Sequence, residues 1–84
     1  MKTYEMIITS TNTRIAEQAA NILDSMYRKL YNAYGGKRQS GKRDGEYTIK
    51  MEYLTSAENW KILTTAFYHK MARIDNHDEI IFNE

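Results

Sequence analysis

The sequence predicts a two-layer α+β sandwich, with two helices over one face of a four-stranded antiparallel sheet, and three observations carry that expectation. Residues 47 to 53 alternate strictly between apolar and polar side chains, and Thr3 to Thr9 does much the same. Two longer segments, around Leu23 and Phe67, repeat apolar residues at three- and four-residue steps. Between the first helix and the clearest strand lies a basic, glycine-rich stretch ending in Asp44-Gly45, the pair that two-residue hairpins favour. In chain order these elements give βαββαβ, the ferredoxin-like order, and the 84 residues form one domain spanning 1–84.

The first strand sets Tyr4, Met6 and Ile8 on one side and Glu5, Ile7 and Thr9 on the other. Asn12 or Thr13 then caps a helix, since a short side-chain oxygen reaches amides of the first turn that have no earlier carbonyl. Glu17 suits the positive end of that helix. The inward stripe predicted for it is Ile15, Ala19, Ile22, Leu23, Met26, Leu30 and Ala33, and Gly35-Gly36 provides the left-handed stop.

All four glycines fall in the stretch GGKRQSGKRDG, and residues 37–43 are expected to form the first arm of the Asp44-Gly45 hairpin. If residues 35–45 are instead a mobile loop, the sheet has three strands in the order βαβαβ. The second arm buries Tyr47, Ile49, Met51 and Tyr53 and wets Glu46, Thr48, Lys50 and Glu52. Thr55-Ser56-Ala57-Glu58 has capping-box spacing and opens a second helix with the stripe Trp60, Leu63, Phe67, Met71 and Ile74. After a turn at Asp75-Asn76, a last strand runs from Glu79 to Asn83.

Composition narrows the functional classes. With no cysteine there is neither a disulfide framework nor a thiolate metal site, so the core holds the fold alone or with a partner chain, a second copy included. Glu5 interrupts the apolar run that a signal peptide needs, and no stretch approaches ~18 consecutive apolar residues, so a soluble cytoplasmic protein is expected. Twelve basic residues nearly balance eleven acidic ones, but they are segregated. Lys37, Arg38, Lys42 and Arg43 cluster, whereas Asp75, Asp78, Glu79 and Glu84 make the carboxyl-terminal region acidic.

Gly36 to Lys42 matches the spacing of a phosphate loop, G-x-x-x-x-G-K, yet Arg43 stands where magnesium needs Ser or Thr, and the segment follows a helix instead of a strand. What remains is two Lys-Arg pairs whose side chains reach phosphates, with glycines that let a backbone come close. Nucleic acid, RNA in the first place, is the ligand expected at Lys37, Arg38, Lys42 and Arg43. An exposed edge guarded against aggregation by its cations would show the same residues. Comparison with the RRM family fails at the motif. Residues 46–53 lack the Gly-aromatic-Gly pattern, and Tyr47 and Tyr53 share the inward face, so sequence-tolerant phosphate contact is expected. Tyr27, Tyr31 and Tyr34, at steps of four and three, form either a ridge for a protein partner or a cover over the core edge.

No catalytic or cofactor signature stands out. His69, His77, Asp75, Asp78 and Glu79 are metal-ligand types without a ligand spacing, and neither Ser40 nor Ser56 has a base and acid arranged beside it. The acylphosphatase family shares the expected fold, but its glycine-valine-rich phosphate loop is missing. No enzyme activity, metal or cofactor is therefore expected.

A chain under ninety residues, free of Pro and Cys and rich in Tyr, Asn, Ile and Lys, resembles in composition the small early-expressed proteins of tailed phages. Many of these inhibit a host enzyme or a defence system, and some, such as the inhibitor of the ToxN endoribonuclease toxin, bind RNA as well as their target. The resemblance implies an inhibitor working in a bacterial cytoplasm through RNA together with a host or defence protein. The competing expectation is a protein-only inhibitor that docks through the tyrosine ridge or a sheet edge.

Overall fold

A computed structural model describes residues 1–31, 36–74 and 80–84. The elements are β1 (Lys2–Ser10), α1 (Thr13–Tyr31), β2 (Lys37–Arg43), β3 (Glu46–Thr55), α2 (Ala57–Ile74) and β4 (Ile80–Asn83). The four strands form one antiparallel sheet in the order β2-β3-β1-β4 with both helices on one face, a ferredoxin-like α+β sandwich. Residues 37–43 are thus a strand, and the three-stranded alternative is set aside. Among the described residues no helix is long and apolar enough to cross a membrane.

Register follows from alternation. β1 pairs with β3 from Lys2–Thr55 to Ser10–Tyr47, which places Met6 beside Met51 and Ile8 beside Ile49 on the helix face, all fully buried. β4 adds Ile80 and Phe82 to that face through its pairing with Ser10 and Ile8. Asp44 and Gly45 make the β2–β3 turn with φ of 52° and 82°, the geometry that a two-residue hairpin needs to match strand twist.

Asn12 caps α1, its Oδ1 accepting the Ile15 amide at 3.2 Å. The helix is rotated from the predicted stripe. Ala16, Ala19, Ala20, Leu23 and Tyr27 are innermost, Ile15, Ile22 and Met26 lie on the flank, and Leu30 is 47% exposed. Small alanines let the helix sit low on the sheet, and Tyr27 reaches across to donate its hydroxyl to the Leu54 carbonyl at 3.3 Å. Ala33, Tyr34, Gly35 and the Asp75-Asn76 turn lie outside the described residues.

The start of α2 is also shifted. Ser56, not Thr55, caps it by accepting the Asn59 amide at 3.1 Å, while Thr55 ends β3 as a buried residue. The buried stripe is Trp60, Leu63, Thr64, Phe67 and Met71, and Thr64 is tolerated there because its hydroxyl donates to the Trp60 carbonyl at 3.0 Å. Ile74, expected inside, is 55% exposed.

Trp60 joins the layers. Its indole stacks on Tyr4 with centroids 5.5 Å apart, lies 6.0 Å from the Tyr53 ring of β3, and donates its N–H to Glu84 at 3.0 Å. Replacing Trp60 with alanine removes all three contacts and should cost about 3–5 kcal/mol, a large share of the stability of so small a domain. Urea unfolding followed by far-ultraviolet circular dichroism should place the variant's midpoint far below that of the parent. A nearly unchanged midpoint would mean the indole carries little of the core.

Candidate nucleic-acid interface

β2 is exposed along its whole length and, among the described residues, pairs only with β3, so it forms one edge of the sheet. Its register, from Lys37–Glu52 to Arg43–Glu46, sorts the cations by face. Lys37 and Arg43 stand with Glu52 and Glu46 on the face away from the helices, whereas Arg38 and Lys42 stand with Met51 and Tyr47 on the helix face. The four residues singled out in the sequence are therefore divided between two sides.

Arg38 differs from the other three. Its guanidinium reaches Glu17 Oε2 at 3.3 Å, Asp24 Oδ2 at 2.8 Å and Asn21 Oδ1 at 3.1 Å, all on α1. The same carboxylates accept the hydroxyls of Tyr47 and Tyr53, so one polar network joins β2, β3 and α1. Glu17 therefore serves this network, and the first turn of α1 holds no acidic residue. Glu17, Asn21 and Asp24 recur at steps of four and three, and that spacing beside two inward tyrosines was the signal for a polar seam.

Lys37 and Lys42 form no ion pair with another described residue, and Arg43 lies 3.9 Å from Asp44 with both side chains more than nine-tenths exposed. These three cations are free to meet a ligand. A shallow depression of about 390 Å³ opens around Gly41, rimmed by Lys42, Arg43 and Lys50. On the open face, Lys50 sits between Glu5 at 3.1 Å and Glu52 at 3.4 Å, and the hydrogen bond to Glu5 does most to hold its ammonium above the ordinary value. That face carries no aromatic ring among the described residues.

Two of the three ridge tyrosines, Tyr27 and Tyr31, are engaged inside the domain. Tyr27 is 9% exposed and packs on Tyr53 and Tyr31, and Tyr31 donates its hydroxyl to the Asn59 carbonyl at 2.9 Å. Both join helix to helix or helix to sheet, and Tyr34 lies outside the described residues. Ser40 is exposed on β2, and Ser56 is consumed as a cap. His69 is exposed on α2, whereas His77, Asp75, Asp78 and Glu79 lie outside the described residues. Among the described residues no three acidic or histidine side chains converge on a point that could hold a metal.

Two outcomes follow from the seam. Alanine at Arg38 should lower stability by about 1 kcal/mol, because it strips the cation from two carboxylates, while alanine at Lys42 should leave the melting temperature unchanged. Thermal melts of the two variants decide this. Burial, reinforced by the hydrogen bond to Asp24, pushes the Tyr53 phenol far above its ordinary value of 10.0. The folded state then keeps a proton that the unfolded chain releases, so this contribution is complete below pH about 10 and is lost as pH rises beyond it, at about 1.4 kcal/mol per pH unit. Urea midpoints measured from about pH 8 to about pH 11 should show that decline, and a shallower one for Tyr53→Phe.

No protein-family model matches the chain, and no curated protein matches it. A de novo designed protein, Foldit4, is similar in structure, with a TM-score of 0.74 over 96% of this chain and 91% of that one, at 13% sequence identity. At that identity the likeness shows the ferredoxin-like fold alone.

Proposed function

We propose that the chain is a small nucleic-acid-binding module, with RNA as its target, that grips phosphates through Lys37, Lys42 and Arg43. The observation that carries this reading is the state of those three side chains, exposed on one edge strand with no ion pair among the described residues beyond that of Arg43 with the solvent-exposed Asp44. Arg38 belongs to the same strand but serves the seam, so it orders the strand without contributing a phosphate contact. Contacts of this kind are electrostatic and tolerant of sequence, because among the described residues no base-stacking ring lies on the open face. The wider reading, an inhibitor that joins RNA with a host or defence protein, rests on the compositional resemblance to small phage proteins and on the free sheet edge.

Three phosphate contacts on a single strand imply a slope of log affinity against log salt near −2, from about 0.7 per contact, so a fourfold rise in salt should weaken binding by about 20-fold. Titrations of unrelated RNA sequences at several salt concentrations test this, with duplex DNA as a competitor. Replacing Lys37, Lys42 and Arg43 together by alanine should abolish binding and leave the circular dichroism spectrum intact. Binding that persists in that variant, or a flat salt response with preference for one sequence, would move the site elsewhere.

A further inference from the structure

The backbone of β2 presents a second kind of site. In a two-residue hairpin the residues flanking the turn, Arg43 and Glu46, form a hydrogen-bonded pair, and such pairs alternate along an antiparallel ladder. Lys37, Gln39, Gly41 and Arg43 therefore bond β3, whereas Arg38, Ser40 and Lys42 turn both N–H and C=O to the outside. The position of Gly36 agrees with this parity. A Cβ at Gly36 would lie 1.7 Å from the Glu52 carbonyl oxygen, so that carbonyl points at β2 where Lys37 meets it.

This outer edge has what an added strand needs. The pairing with β3 runs one-to-one over seven residues without a bulge, the strand contains no proline, and every residue is exposed. Its charge selects what can be added. A second copy pairing through its own β2 would set lysines and arginines against one another, which costs free energy at each opposed pair. The same cations attract carboxylates, so they exclude another copy of this edge and admit an anionic strand.

We propose that the outer edge of β2 accepts an extended acidic peptide of a partner protein as a fifth strand. The added strand bonds the outward amides and carbonyls of Arg38, Ser40 and Lys42, while its carboxylates meet Lys37 and Arg43 on one face and Lys42 on the other. This goes beyond phosphate binding, which uses the side chains alone, and the two can be separated by experiment.

The probe is a synthetic peptide that alternates glutamate with valine or threonine. Controls are the same peptide with lysine for glutamate and one N-methylated on the amides that would face β2. Amide hydrogen exchange is read by nuclear magnetic resonance on the full chain. With the peptide at ten times its Kd, the Arg38, Ser40 and Lys42 amides should exchange about tenfold more slowly, while those of Gln39, Gly41 and Arg43 hardly change. Both control peptides should give no slowing. Ser40→Pro removes one outward donor without touching the ladder to β3, so it should fold, lose the peptide and still bind RNA. The proposal is overturned if the glutamate peptide slows none of these amides, or if the lysine or N-methylated peptide slows them equally. It is also overturned if RNA alone protects them, which would assign the edge to nucleic acid. Loss of RNA binding with peptide protection intact would remove the phosphate reading and leave the added strand.

Discussion

β2 carries no apolar side chain, so burial does nothing to keep it on the sheet. Fixing each of its residues costs about 1–2 kcal/mol of backbone entropy, and each ladder hydrogen bond returns about 1 kcal/mol net, so the two nearly cancel. What tips the balance is a turn whose residues already favour positive φ, and Arg38, which crosses from the edge of the sheet to the carboxylates of α1. Everything that makes the edge usable depends on that seam. Without it, Lys37, Lys42 and Arg43 would sit on a loose hairpin and present no fixed row of charges or amides.

The seam also shows how one set of carboxylates answers two needs. Tyr47 and Tyr53 bring large rings to the inward face of β3, and the buried Tyr53 in particular requires an acceptor for its hydroxyl. Glu17 and Asp24 accept the two hydroxyls, and their own charge is compensated by Arg38. Arg38 is thereby engaged by α1, while Lys37, Lys42 and Arg43 make no such contact with another element among the described residues. Among the described residues, Glu17 and Asp24 pair with Arg38, and Glu5 and Glu52 pair with Lys50, so these four carboxylates are partnered by cations other than Lys37, Lys42 and Arg43.

The order of the elements was legible because it rests on strong local signals. Strict alternation marks β3 and the Asp44-Gly45 pair marks the turn, whereas residues 37–43 read by themselves fit both a strand and a mobile loop, and the structure pairs them with β3 as a strand. The rotation of α1 was not legible. A stripe read from hydrophobicity includes Leu30 and omits Tyr27, yet Tyr27 is buried because its hydroxyl finds the Leu54 carbonyl, a partner 27 residues away in the chain. The cap of α2 was misplaced by one residue for a related reason, since Thr55 and Ser56 are equally competent caps and only the end of β3 decides between them. The basic cluster was visible as a cluster, but its division into one seam residue and three others depends on the Glu17, Asn21 and Asp24 face of α1, which residues 37–43 read by themselves do not report.

The glycines of this segment are under unequal constraint. At position 36 the obstacle is a carbonyl oxygen of the neighbouring strand, at position 45 it is the sign of a backbone angle, and at position 41 nothing lies within 4 Å of where a side chain would begin. Substitution would consequently be filtered very differently along one short stretch. Positions 36 and 45 are closed for unrelated reasons, whereas position 41 can take on new side chains at the centre of the exposed edge without disturbing the sheet. Among its described glycines the segment thus combines two fixed points with one open position between them, so side chains can change at the centre of the edge while the scaffold stays put.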